Sequence, residues 1–171
     1  SLHDALPILS NPTEIIGGGA DPLILIVDDV AANRLVLGAR LRKAGYKVVS
    51  AGSAHHALQQ IALQIPDLIL LDIMMPGIDG YTLCRRLRAE TPTAKVPIIF
   101  LSSLDEAVDK VKAFESGGAD YVTKPFQVEE VLARVAHQLK IARLQRDLEH
   151  EKAELVRKNL LLLAAQRKTA M

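Results

Sequence analysis

Polar residues that could handle a phosphoryl group stand at the ends of short apolar runs. A pair of aspartates and three single polar residues follow four such runs: Asp28, Asp29, Asp72, Ser102 and Lys124. Clustered carboxylates repel one another unless a cation lies among them, and oxygen ligands of this kind suit Mg²⁺. A lysine and a hydroxyl would neutralise and position phosphoryl oxygens, which is most of what phosphoryl transfer requires. The residue types therefore predict a phosphoryl site with Asp72 as the carboxylate nucleophile.

These residues meet only if the apolar runs are strands of one parallel sheet, because the carboxyl ends of parallel strands share an edge. Runs such as LILIV and LILL are apolar on both faces, as strands covered by helices on both sides are. The predicted strands are residues 23–27, 47–51, 68–71, 98–101 and 121–123. Five strand–helix units predict an α/β domain with a doubly wound parallel sheet.

Helical periodicity separates the predicted strands. Leu35, Leu37, Leu41 and Ala44 indicate a first helix that stops at Gly45. Further helices are predicted over residues 53–64 and 80–90, then around Val111 and Phe114, and from Val128 onward.

Four segments together resemble the motif set of receiver domains, the phosphoaccepting modules of two-component response regulators. They are VDD (27–29), LLDIMMPGIDG (70–80), PIIFLSS (97–103) and GADYVTKPF (118–126), and they follow the family's order. The resemblance implies a flavodoxin-like, five-stranded sheet of order 2-1-3-4-5. It also implies a signalling domain rather than an enzyme, limited to self-phosphorylation from small donors and self-dephosphorylation.

The resemblance assigns the metal ligands. It makes Asp72 the phosphorylated residue and places Mg²⁺ directly on Asp29 and on Asp72, with Asp28 acting largely through water. The backbone carbonyl of Met74 would complete the protein ligands.

The resemblance also assigns the residues that sense the phosphoryl group. Ser102 would meet the phosphoryl oxygens, Lys124 would pair with them, and Tyr121 occupies the family's rotating aromatic position. The Lys124–Pro125 peptide bond would be cis, an isomer that proline tolerates.

Other readings of these residues stay open at this point. Asp28 or Asp29 could cap the following helix, and Ser103 with Glu106 has the spacing of a capping box. Ser102 could be a turn residue and Tyr121 a plain strand aromatic. Two other functions fit less well: a magnesium-dependent phosphotransferase or phosphatase that uses the same aspartate, and a phosphorylation-independent interaction module.

The chain divides into three predicted parts. Residues 1–21 are expected to be non-native or disordered, residues 22–139 form the receiver domain, and residues 140–171 form a helical extension. A net charge of +1 argues against direct nucleic-acid binding, and no apolar run is long enough to span a bilayer. The single cysteine, Cys84, is expected to be a buried structural thiol and fits a cytoplasmic protein.

The extension carries a heptad of apolar residues. Ile141, Leu148, Leu155 and Leu162 recur every seven residues, but Glu151 and Lys158 interrupt the companion positions. This pattern predicts a weak parallel homodimer, or a coiled-coil linker to an output domain that is missing from this chain. The implied upstream partner is a sensor histidine kinase or a phosphotransfer protein.

Overall fold

The computed structural model describes residues 20–103 and 107–170, which form a five-stranded parallel sheet with helices on both faces. The strands are β1 (Leu23–Val27), β2 (Lys47–Ala51), β3 (Leu68–Asp72), β4 (Ile98–Ser103) and β5 (Asp120–Lys124). The helices are α1 (Ala31–Lys43), α2 (Ala54–Leu63), α3 (Gly80–Ala89), α4 (Ala107–Glu115) and α5 (Val128–Thr169). The sheet order β2-β1-β3-β4-β5 confirms the predicted flavodoxin-like fold.

The two central strands β1 and β3 are buried along their whole length. Successive residues of a strand point to opposite faces. Leu25 and Val27 therefore pack with α2, α3 and α4, while Ile24 and Ile26 pack with α1 and α5. This double burial explains why the LILIV and LILL runs contain no polar residue.

Three strands run further than their predicted bounds, and one of them is β5, which also includes Asp120 and Lys124. β3 includes Asp72 and β4 continues to Ser103, because these residues still pair in the sheet. Asp72 is in register with Leu101, and Ser103 with Lys124. Asp72 and Ser103 are thus held by the hydrogen-bonded ladder, whereas Asp28 and Asp29 lie in the loop after β1.

Two helices bury different residues from those that indicated them. Leu35 is 73% exposed, whereas Leu37 and Leu41 are buried, because Leu35 lies about 200° around the helix from Leu37. In α4 the exposed side chains include Val111 and Phe114, and Ala113 faces the core. The helices are confirmed, but part of the predicted apolar stripe is surface.

The last helix, α5, confirms the predicted long extension. It contains 42 residues, a length of about 63 Å at 1.5 Å per residue. Its buried residues, Val131, Val135 and Gln138, all lie in the first third of the helix.

Several other predictions have mixed outcomes. Cys84 is buried in α3 as expected, and burial raises the pKa of its thiol, which disfavours the reactive thiolate. Over the two described ranges, no helix has the length and hydropathy to cross a membrane.

The predicted segment 1–21 lies, except for its last two residues, outside the described residues. So does the capping box, because it needs Glu106.

Candidate functional site

The predicted site residues at the ends of strands all lie at one edge of the sheet, where the carboxyl ends of the parallel strands meet. Asp28 follows β1 directly, and Asp72, Ser102 and Lys124 lie at the ends of the strands β3, β4 and β5. Ser102 is in register with Thr123, one residue before Lys124. Residues from four strands that are far apart in sequence therefore meet at one edge, as parallel pairing requires.

Three aspartates form a compact group at this edge. One carboxylate oxygen from each of Asp28, Asp29 and Asp72 lies within 4.8 Å of the others. Asp28 is fully buried, Asp72 is 4% exposed, and Asp29 faces solvent. Together with Lys124 we call this group the acidic edge. Its all-oxygen donors, one of them open to water, fit a hard divalent cation.

Lys124 is the positive charge of the acidic edge. Its Nζ lies 3.2 Å from Asp28 Oδ2 and 3.2 Å from Asp72 Oδ1, and the side chain is largely buried. One ammonium thus serves two buried carboxylates. The described part of the acidic edge keeps an excess of negative charge, because Asp29 adds a third carboxylate.

The pKa of Asp72 reflects both its burial and the charges around it. Its pKa is raised to about 6, mainly because burial disfavours the charged form. The positive charge of Lys124 lowers the pKa, and the negative charge of Asp28 raises it. Desolvation therefore outweighs the attraction of Lys124, and a further cation would favour the ionised carboxylate.

Asp28 is fixed by its own loop and by α1. Its carboxylate accepts hydrogen bonds from the Val30 backbone N–H at 2.9 Å and from the Asn33 side-chain amide at 3.0 Å. The Arg34 guanidinium donates to the Asp28 carbonyl at 2.6 Å. Both Asp28 oxygens are engaged by protein donors, Oδ2 also by Lys124, so this residue is held in place independently of any metal ion.

Sequence reasoning missed Asn33 and Arg34. The available signal was two polar residues in the first turn of α1, within reach of the aspartate pair. The alternative that Asp28 or Asp29 caps α1 is wrong. The N-cap residue is Val30, and no side chain caps that end of the helix.

The loop after β3 holds Asp72 from the other side. The Met74 backbone N–H donates to Asp72 Oδ1 at 3.3 Å, and the Gly80 N–H donates to the Ile73 carbonyl at 2.9 Å. A Cβ atom at Gly80 would overlap the Asp72 carbonyl oxygen. Glycine at this position therefore allows the start of α3 to approach the site, and Asp79 caps that helix by accepting from the Thr82 N–H.

Ser102 and Tyr121 occupy different surroundings. Ser102 is buried beside Asp72 on the neighbouring strand, and among the described residues its hydroxyl makes no hydrogen bond. The Tyr121 ring meets Phe114 edge-on at 6.0 Å, with Lys110 Nζ 4.9 Å from the ring centre. Over the described residues Ser102 thus offers a donor without a partner at the site, whereas Tyr121 packs against α4. The Lys124–Pro125 peptide bond is cis, as the resemblance implied.

Comparison with known proteins identifies similar chains. A family model for the response regulator receiver domain matches residues 24–136. RpaA of Synechocystis sp., a DNA-binding dual master transcriptional regulator, is 47% identical over 115 residues, which are 67% of this chain and 47% of that protein. The response regulator PleD of Caulobacter vibrioides is 42% identical over 112 residues, which are 66% of this chain and 25% of that protein.

Solved structures show the same similarity. A Chloroflexus aurantiacus protein described as a response regulator has a TM-score of 0.68 and 42% identity, over 70% of this chain and 98% of that chain. The chemotaxis protein CheY4 of Vibrio cholerae has a TM-score of 0.66 and 26% identity, over 69% and 98%. The chain spans less than half the length of RpaA or PleD. Since the family model covers well over half of the chain and the sheet order agrees with it, this chain belongs to the response regulator receiver domain family.

Proposed function

We propose that the domain accepts a phosphoryl group on Asp72 from a sensor histidine kinase or a phosphotransfer protein. The observation that carries this proposal is the position of Asp72. It ends the central strand β3, with Lys124 Nζ 3.2 Å away and two further carboxylates beside it. A buried carboxylate with an adjacent cation is suited to act as a nucleophile toward phosphorus.

The proposed cofactor is Mg²⁺, which would offset the negative charge that builds up on phosphoryl oxygens. Asp29, the free oxygen of Asp72 and the Met74 carbonyl are the proposed ligands. Asp28 would act through water, because both of its oxygens already accept hydrogen bonds from the protein. This division of roles follows from the different burial of the two adjacent aspartates.

In the transfer step, an Asp72 oxygen forms a bond to phosphorus while the bond between phosphorus and the donor's histidine nitrogen breaks. The donor histidine leaves as a neutral imidazole after taking up a proton. Lys124 and the Ser102 hydroxyl would bind the transferred oxygens, since Ser102 lies on the strand next to that of Asp72 and Lys124 Nζ is 3.2 Å from Asp72 Oδ1. The new charges would draw Lys124 away from Asp28 and so change the end of β5.

The proposed output runs through the surface of α4, β5 and α5. Tyr121 on β5 contacts Phe114 of α4, and both Phe114 and Val111 are exposed. A shift of Ser102 and Lys124 toward a phosphoryl group would act on the two strands that carry this surface. The proposed consequence is a change in how a partner or a downstream output domain binds.

The test is labelling with acetyl phosphate and Mg²⁺, followed by mass spectrometry of the intact chain. The wild type is expected to gain one phosphoryl group that hydroxylamine removes. Asp72→Ala is expected to gain none. Asp79→Asn is the matched control, because asparagine still caps α3 and should leave labelling unchanged. Normal labelling of Asp72→Ala would place the acceptor elsewhere.

A further inference from the structure

The helix extension, residues 140–169 of α5, uses one face to contact its own receiver domain. Ala142, Gln145 and Glu149 line a cleft with the loops that precede β3 and β4. Lys95, in the loop before β4, places its Nζ 2.7 and 2.8 Å from the two carboxylate oxygens of Glu149. The first turns of the extension are therefore docked against the domain as far as Glu149.

The apolar heptad lies on a different face. At 3.6 residues per turn, its centre is about 110° around the helix from the centre of the three docked residues. We call these residues the seam: Ile141, Leu144, Leu148, Leu155 and Leu162. Four of the seam leucines are more than half exposed, from 53% at Leu144 to 63% at Leu162. The receiver domain thus fixes the direction of the helix without covering its apolar face.

We propose that the seam binds the seam of a second copy of this chain, and that the two helices run parallel. A seam with a seven-residue repeat is self-complementary, as a two-fold dimer requires. The docked face lies to one side of the seam, and Leu155 and Leu162 are exposed beyond the last docked residue, Glu149, so the receiver domain leaves this part of the seam open to a partner. This proposal does not depend on phosphorylation and goes beyond the function proposed above.

The charges beside the seam set the direction of pairing. In a parallel dimer Asp147 faces Lys152 of the partner helix, and the symmetry repeats this attraction. In the antiparallel arrangement that pairs Leu144 with Leu162, Lys152 faces Lys152 and Glu154 faces Glu154. Beside the seam, parallel pairing therefore replaces two repulsions with two attractions, although in the core it also sets Glu151 opposite Glu151 and Lys158 opposite Lys158.

The interruptions of the seam limit its affinity. Glu151 and Lys158 stand at core positions of the heptad, and in a parallel dimer each faces its own copy. Like charges at the core weaken a coiled coil. The dimer is therefore expected to dissociate reversibly with dilution, which suits a signalling element better than a permanent assembly.

Sedimentation equilibrium on the full chain tests the pairing and its direction. Lys152→Glu is expected to raise the dissociation constant roughly fivefold, because it turns two attractions into repulsions. Adding Asp147→Lys to that variant should restore the wild-type value. An antiparallel dimer would show little change for the single variant, since Lys152→Glu would then replace one like-charge pair, Lys–Lys, with another, Glu–Glu.

Two further variants test whether the seam forms the dimer and whether the two helices run parallel. Glu151→Leu with Lys158→Leu should tighten the dimer by roughly tenfold or more, because it fills the seam. Leu162→Cys in a Cys84→Ser background should form an interchain disulfide under mild oxidation, since only parallel helices bring the two positions together. Circular dichroism would verify that each variant is folded. A wild type that remains monomeric to about 100 μM, a free energy near −5 kcal/mol, would overturn the proposal.

Discussion

Two lysine–carboxylate contacts at opposite ends of the sheet have similar lengths and very different surroundings. Lys124 lies 3.2 Å from both Asp28 and Asp72, whose side chains are 0% and 5% exposed. Lys95 lies closer to its partner, 2.7 Å from Glu149, but both side chains are mostly in water, at 76% and 55% exposure. Water screens the second contact, and charge burial makes the first one both strong and costly.

The shorter contact, between Lys95 and Glu149, is therefore the weaker of the two. In the acidic edge three carboxylates share one ammonium, so removing Lys124 leaves two buried carboxylates without a counter-charge, whereas removing Asp72 reduces the excess of negative charge. At the extension, Lys95 and Glu149 can each return to water at little cost. The acidic edge is therefore arranged to respond to an added cation or anion, whereas the exposed pair mainly helps to orient a helix.

Lys124→Ala gives the largest expected effect. It leaves two buried carboxylates without their cation, and breaking such a group typically costs about 3–5 kcal/mol. Urea unfolding without Mg²⁺ is expected to show that loss at neutral pH. Added Mg²⁺ should recover part of it, since the metal would replace the missing positive charge. Unchanged unfolding of the variant would contradict the energetic role assigned to Lys124.

Asp72→Asn is expected to raise the free energy of unfolding, whereas Lys124→Ala lowers it. Because the pKa of Asp72 rises from 3.8 to about 6 in the fold, the ionised carboxylate destabilises the folded protein. This penalty is absent below pH 3.8, grows as the pH rises and is complete above pH 6. Without Mg²⁺, the variant should therefore be more stable than the wild type by about 3 kcal/mol at pH 7.5. The gain should vanish near pH 4, as urea melts at both pH values would show.

The affinity of the acidic edge for Mg²⁺ is expected to depend on pH, because Asp72 must be ionised to bind the metal. The ionised fraction of Asp72 falls as the pH drops below its pKa of about 6. Isothermal titration should therefore find Mg²⁺ binding about fourfold weaker at pH 5.5 than at pH 7.5. Asp72→Asn should bind weakly at both pH values and lose most of the pH dependence. Equal affinity of the wild type at both values would show that Asp72 ionisation does not control the metal site.

Lys95→Ala gives the smallest expected effect. An exposed ion pair contributes about 0.2–1 kcal/mol, and salt screens it further. Urea melts are expected to change by no more than about 0.5 kcal/mol, and by less at high ionic strength. Mg²⁺ binding and labelling of Asp72 should remain at wild-type levels. A loss comparable with that of Lys124→Ala would contradict the contrast between the two contacts.

The sequence by itself determined the strands and the chemistry at their ends. The predicted bounds of β1 and β2 agree with the structure, because turn residues limit both strands: Pro22 and Asp28 lie next to β1, and Gly45 and Gly52 lie around β2. The approach of Asp28, Asp29, Asp72 and Lys124 followed from one rule, that parallel strands end at the same edge. The strand order came from the resemblance, since periodicity alone does not specify which strands are neighbours.

Only the tertiary structure decided which of these polar groups are buried and what holds them. Asp28 and Asp29 are adjacent and identical in type, yet one is enclosed by Asn33 and Lys124 and the other faces water. The sequence likewise did not predict that Leu35 is exposed. Helical spacing identifies a helix, but it does not show which face of the helix packs against the sheet. Burial, and with it the raised pKa of Asp72, depends on contacts between segments distant in the chain, and local sequence does not encode those contacts.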